Sequence, residues 1–217
     1  MINLKWRNFV VTGCGIVGVA TLITSFAVNP GPSPSANTAQ LMTFWASQHQ
    51  TDILMGGWMQ VTGTLLCVLF ALALVHIAGF SYHLSGVLTL FGTTVLMCVG
   101  LAEMTCYIGA TSGDAITVHV VGTMIPALQH AYPIIAAPMV FLPLGIVILA
   151  SQILPKVLGH AAIWLGSVFA ILGFIGVFQP VQGIVDTLSA LQGFWWLSAA
   201  VTFMVRQKKM GHAVPSV

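Results

Sequence analysis

The sequence predicts an all-α, polytopic membrane protein: a bundle of six transmembrane helices with short interfacial helices on its outer face. Three observations carry that expectation. First, only 5% of the 217 residues are charged while 58% are hydrophobic, and the mean hydropathy is +0.99. A soluble domain is about 25% charged, and so few charges cannot cover a water-facing surface, so lipid is the expected solvent. Second, the apolar residues fall into runs of membrane-spanning length separated by turn-forming stretches, which leaves no room for a second, soluble domain. Third, with six crossings and a cytoplasmic N-terminus, Lys5, Arg7, Lys156, Arg206, Lys208 and Lys209 all lie on the cytoplasmic side, and they are every Lys and Arg in the chain. Basic residues resist translocation. Five or seven crossings would split the set.

The first span is expected over 9–28. Lys5 and Arg7 ahead of it imitate a signal peptide, but the apolar part outruns an h-region and no small-residue cleavage site follows. Gly13, Gly15 and Gly18 suit close helix packing. The prolines of 29–36 end the span, and Ser35 or Asn37 is placed to cap a short helix over 38–49, lying on the membrane with Trp45 at headgroup level. Span two covers 53–77. Its Gly56, Gln60, Gly63, Thr64 and Cys67 share one helical face, which predicts a small and polar side turned into the bundle. Span three covers 86–108, with Glu103 and Tyr107 on a common face, and the turn after it holds Gly113 and Asp114.

Residues 115–154 are too many for one straight span, and Pro126, Pro133, Pro138 and Pro143 interrupt them. The expected division is an outer helix over 115–130, capped by Asp114, and a proline-bent span four over 132–154. Span five covers 160–178 with a seam of Gly166, Ala170 and Gly173, and span six covers 186–205 with Gln192, Trp195 and Trp196.

Glu103 is the leading functional candidate. An ionised carboxylate within the bilayer costs several kcal/mol unless it is paired or hydrated, and acids there are functional by default. The competing reading is a structural acid bonded to a neighbouring helix. Tyr107, one turn on, is placed to orient the carboxyl, so the two are the candidate catalytic pair. Gln60 and Gln192 would line the same polar pocket, and His119 and His130 would close it from outside.

The two histidines are about 16 Å apart on an unbroken helix, too far for one metal ion. Folded closer, they would join His49 and Asp52 in an outer divalent-metal cluster, although the spacing matches no compact ligand motif. His76, His83 and His160 near the inner side are candidate haem ligands, since a bundle needs no local motif for axial ligation. The bland alternative is interfacial histidines bonded to loops for the first set, and snorkelling, neutral histidines at the inner interface for the second. Cys14, Cys67, Cys98 and Cys106 all sit in apolar runs without CxxC spacing and read as core residues.

The favoured function is binding of a small apolar ligand or cofactor in an outer-half pocket around Glu103. Three other classes stay open: an intramembrane enzyme using Glu103 as acid or base with haem or a metal, an accessory subunit of a larger membrane complex, and a proton-coupled transporter. The expected partners are the lipid bilayer and other membrane subunits or a second copy of the chain. Nucleic acid is excluded by the lack of a basic stripe. The expected location is an inner membrane, with both termini cytoplasmic.

Overall fold

Helix is what hydrocarbon permits, because a backbone in lipid has no water to satisfy its N–H and C=O groups. The computed structural model describes residues 4–28, 36–48, 50–79, 83–176 and 182–212, and every regular element among them is helical. In chain order these are α1 (Leu4–Val28), α2 (Thr38–Ser47), α3 (Gln50–Ala78), α4 (His83–Ser112), α5 (Ala115–Ala131), a π-helical turn (Tyr132–Ala136), α6 (Ala137–Ser151), α7 (Lys156–Gly176) and α8 (Gln182–His212).

Five stretches among the described residues are long and apolar enough to cross a membrane: Asn8–Val28, Thr51–Ala78, Tyr132–Ser151, Lys156–Gly176 and Thr187–Gln207. They match expected spans one, two, four, five and six and fit an integral membrane protein. The third expected span falls within α4. The outward surface of the bundle is apolar too: Phe9, Ile23, Trp58, Trp164, Phe174 and Phe194 are all more than half exposed.

The main core lies among α1, α3, α6, α7 and α8 and is built on aromatic edges. Phe141 meets Trp195 at 5.2 Å between ring centroids, Trp195 meets Trp196 at 5.1 Å, and Phe70 meets both Trp196 and Phe203 at 6.3 Å. Offset edge contacts of this kind suit the ring quadrupoles. Trp195 also donates its indole N–H to Leu158 O at 2.9 Å, so its one polar atom is satisfied inside the core.

Two backbone crossings bring the helices this close. At the first, α1 meets α3: a Cβ added to Gly63 would stand 2.7 Å from Leu22 N and 2.9 Å from Gly18 O. At the second, α7 presents Gly159, Gly166 and Gly173, seven residues apart, to the α6 side. A Cβ on Gly166 would meet Leu142 at 2.8 Å, and one on Gly173 would meet the backbone of Ile134 at 2.7 Å. The expected α7 seam is therefore present and gains Gly159, while Ala170 is only partly buried.

The expected break between residues 130 and 132 is corrected. Helix runs without interruption from Ala115 to Ser151, through the π turn. The prolines explain the turn. Pro133 and Pro138, five residues apart, cannot donate to the carbonyls four residues behind them. The chain stays helical by bonding Ala137 N–H to Tyr132 O, five residues back. The wider turn finds room against Gly173.

Hydrogen bonds between distant segments define the two ends of the bundle. Asn8 Nδ2 donates to Gln207 Oε1 at 2.7 Å, and Arg206 Nη1 donates to Gln152 O at 2.9 Å. The start of α1, the end of α8 and the turn between α6 and α7 are thus gathered at one end, with Lys156 beside that turn. The opposite end holds α2, the start of α3 with Asp52, and the α4–α5 turn with Asp114.

The glycine crossing gives a direct test. Gly63→Ala places a methyl group against backbone and should destabilise the protein by about 1–3 kcal/mol, the usual range for overpacking. Gly13→Ala, whose added Cβ meets nothing within 4 Å, should leave stability unchanged or raise it. Thermal unfolding of the detergent-solubilised variants would compare them.

Candidate functional site

The face of α3 expected to turn inward does so. Gly56, Gln60, Gly63, Thr64 and Cys67 are all buried, whereas Met55, Trp58, Leu65 and Leu69 point outward. On α4, Glu103 is 9% exposed and Tyr107 is 7% exposed, so both candidate catalytic residues lie on the buried face one turn apart. Gln60 comes ten residues after the start of α3 and Glu103 nine before the end of α4. Those two helix ends are adjacent, so both side chains sit at a depth of about 15 Å from the same end of the bundle.

A second apolar cluster lies along the same stretch of α4 as Glu103. It combines Ala102, Cys106, Tyr107 and Ala110 of α4 with Trp45 of α2, Ile53 of α3, and Val118 and Ile125 of α5. Trp45 is the surprise here. It is 0% exposed and its indole Nε1 has no hydrogen-bond partner. The burial has a simple cause: α2 packs back against α4 and α5, which turns the indole side towards protein.

Local bonds hold this roof. Asn37 caps α2 through a reciprocal box: Gln40 N donates to Asn37 Oδ1 and Asn37 N donates to Gln40 Oε1, both at 2.9 Å. Thr38 Oγ1 and His119 Nδ1 lie 2.8 Å apart and tie α2 to α5. Asp114 caps α5 as expected, accepting from Thr117 Oγ1 at 2.6 Å, Thr117 N at 3.0 Å and Ile116 N at 3.1 Å. The Thr117 hydroxyl, then its N–H, hold the Asp114 carboxyl below the ordinary carboxylate range. An open depression of about 450 Å³ lies on the outer side of α2, lined by Asn37, Ala39, Gln40, Thr43 and Phe44, and it does not include Glu103.

Deeper in the main core, a second set of polar groups meets. Tyr132, the first residue of the π turn, donates its hydroxyl to Gln192 Oε1 of α8. Its ring stands edge-on to Phe169 at 5.8 Å. Cys67 of α3 belongs to the same core, and Cys14 of α1 and Tyr132 both pack against that core. Gln192 is therefore engaged by Tyr132, a residue that sequence reasoning passed over as the start of a span. A tyrosine followed by prolines one and six positions on, inside an apolar run, was the available signal.

Of the expected metal set, Asp52 and His119 are exposed. His49 lies outside the described residues, as does the side chain of His130. No three His, Cys, Asp or Glu side chains gather among the described residues. Of the expected haem ligands, His76 and His160 are exposed, and His160 Nδ1 lies 2.8 Å from Lys156 O. The side chain of His83 is outside the described set. Comparison with protein-family models, curated proteins and solved structures finds no match to this chain.

The Asp114 cap makes a pH prediction. Because folding lowers this carboxyl, its contribution is complete above the ordinary carboxylate pKa and is lost as pH falls through the lower, folded value. Protection of the Ile116 and Thr117 amides against hydrogen exchange, corrected for intrinsic rates, should fall only at acid pH. In Asp114→Ala it should be low at every pH.

Proposed function

We propose that the chain is a six-span protein of an inner membrane, with both termini in the cytoplasm, that holds a small, largely apolar ligand in an outer-half pocket around Glu103. The sixth crossing is α4. Its 30 residues exceed the roughly 20 that a bilayer core requires, and it packs against α3 and α6. An even number of crossings agrees with the Asn8–Gln207 bond, which joins the two terminal helices at one end. The orientation follows from Lys156 and Arg206, which lie at that same end and resist translocation.

The observation that carries the ligand is the pairing of two costly groups. A carboxyl is buried on α4, and the apolar cluster along the same stretch of that helix contains a fully buried indole N–H with no acceptor. Buried donors are normally matched. A ligand with an apolar body and one oxygen acceptor would satisfy Trp45 Nε1 while lying against Ala102, Cys106 and Tyr107. Glu103 would provide the hydrogen-bonding or proton-exchanging group, with Tyr107 orienting it and Gln60 lining the same depth from α3. His119, tied to Thr38, would fasten the roof.

Dicyclohexylcarbodiimide tests this, being itself a small apolar molecule that reacts with carboxyls in apolar surroundings. In native membranes it should give one dominant adduct, located at Glu103 by peptide mass spectrometry and missing from Glu103→Gln. Adducts on Asp52 and Asp114 with none on Glu103 would refute an accessible apolar pocket there. The orientation has its own test: in right-side-out vesicles a membrane-impermeant maleimide should modify Thr111→Cys above the parent background and spare Gln152→Cys. The reverse pattern would overturn the topology.

A further inference from the structure

Charge of the two signs is separated along the bundle. The start of α1, the end of α8 and the turn between α6 and α7 share one end, as the Asn8–Gln207 and Arg206–Gln152 bonds require. Lys5 and Arg7 belong to the first turn of α1, Lys156 opens α7, and Arg206, Lys208 and Lys209 come near the end of α8. They are every Lys and Arg in the chain. The carboxylate residues lie towards the other end. Asp52 is near the start of α3, Glu103 and Asp114 are near the end of α4, and Asp186 is near the start of α8, about 30 Å of helix from Arg206. No Asp or Glu of the chain is therefore placed to neutralise the cationic end.

Helix α7 turns part of that charge towards lipid. Its buried residues, among them Gly159, Ala162, Gly166 and Phe169, occupy one side. Lys156, His160, Trp164, Ile171 and Phe174 are all exposed, and at 100° per residue they fall within an arc of about 80° on the other side. Trp164 lies about 12 Å deeper than Lys156, and the apolar pair lies deeper still. A cation, then an indole, then apolar side chains is the order of headgroup, interface and acyl chain.

A second cation is fixed at the head of this stripe. Arg206 Nη1 donates to Gln152 O at 2.9 Å, and the four-residue turn from Gln152 to Lys156 can span about 14 Å at most. That bond leaves most of the guanidinium fork, whose shape suits phosphate oxygens. His160 is held beside Lys156 as well, with Nδ1 2.8 Å from the Lys156 carbonyl oxygen.

We infer that Lys156 and Arg206, with the exposed face of α7 beneath them, bind an anionic phospholipid. The phosphate lies between the two cations, and an acyl chain runs along Trp164, Ile171 and Phe174. A zwitterionic lipid brings its own cation and leaves theirs uncompensated. The site shares no residue with the Glu103 pocket and does not depend on which leaflet this end occupies, so it stands or fails separately from that reading.

The probe is phosphatidylglycerol with a diazirine in one acyl chain, compared with phosphatidylcholine carrying the same group. With the full chain in phosphatidylcholine nanodiscs, irradiation should label α7 peptides more with the anionic probe than with the zwitterionic one. Lys156→Gln and Arg206→Gln should each lower that labelling about fivefold, while thermal unfolding shows each variant folded. Lys156 is exposed, so its replacement leaves the fold intact, and Lys156→Arg should keep the labelling. Millimolar inorganic phosphate should not compete, because it has no acyl chain. Suppression by phosphate would make this a site for a free anion and overturn the lipid. Equal labelling of α7 by the two probes, or by parent and Lys156→Gln, would overturn the proposal as well.

Discussion

Helices surrounded by hydrocarbon gain little by burying apolar side chains against one another, because lipid tails are just as apolar. Close contact between backbones has to do that work. In this chain it is done at Gly18 and Gly63 between α1 and α3, and along Gly159, Gly166 and Gly173 between α7 and the α6 side. Each position lacks the one carbon atom that would push the helices apart. Everything else is placed relative to these two tight pairs: the aromatic core between them, α4 against α3 and α6, and the outer layer of α2 and α5 on α4.

Polar groups divide into two kinds within that frame. Most close on near neighbours: hydroxyls on their own helix, Asn37 and Asp114 on the turns they cap, and Trp195 on Leu158. A smaller set lies in the interior: Glu103, Gln60, Thr64, Trp45, and the Tyr132–Gln192 pair. Taking polar groups out of water costs free energy that an apolar side chain of similar shape would not. Glu103 and the cluster of Trp45, on one stretch of α4, are the reason for reading function there.

Much of the fold was legible in the residues. Charge scarcity, run length and the turn formers located the helices, and the alternation around Gln60, Thr64 and Cys67 gave the buried face of α3. The positions of Asp114 and Asn37 as caps followed from their chemistry and spacing. Two things were not legible, for physical reasons. Trp45 looked interfacial because a single short helix says nothing about which neighbour covers it, and only the packing of α2 on α4 and α5 buries the ring. The division after His130 was expected because prolines usually end helices. The five-residue interval between Pro133 and Pro138 instead let the chain lengthen one turn and continue. Tyr132 was overlooked for the same reason, since its importance depends on α8 arriving opposite that turn.

That lengthened turn has a geometric consequence for the molecule. It spends one residue more than an α turn, and one residue is about 100° of rotation about the helix axis. The face that α5 shows to α2 and α4 is therefore swung round from the face that α6 shows to α7 by a single surplus amino acid. The bearing of α5, and of α2 packed on it, is thus tied to the peptide segment that also presents Tyr132 to Gln192.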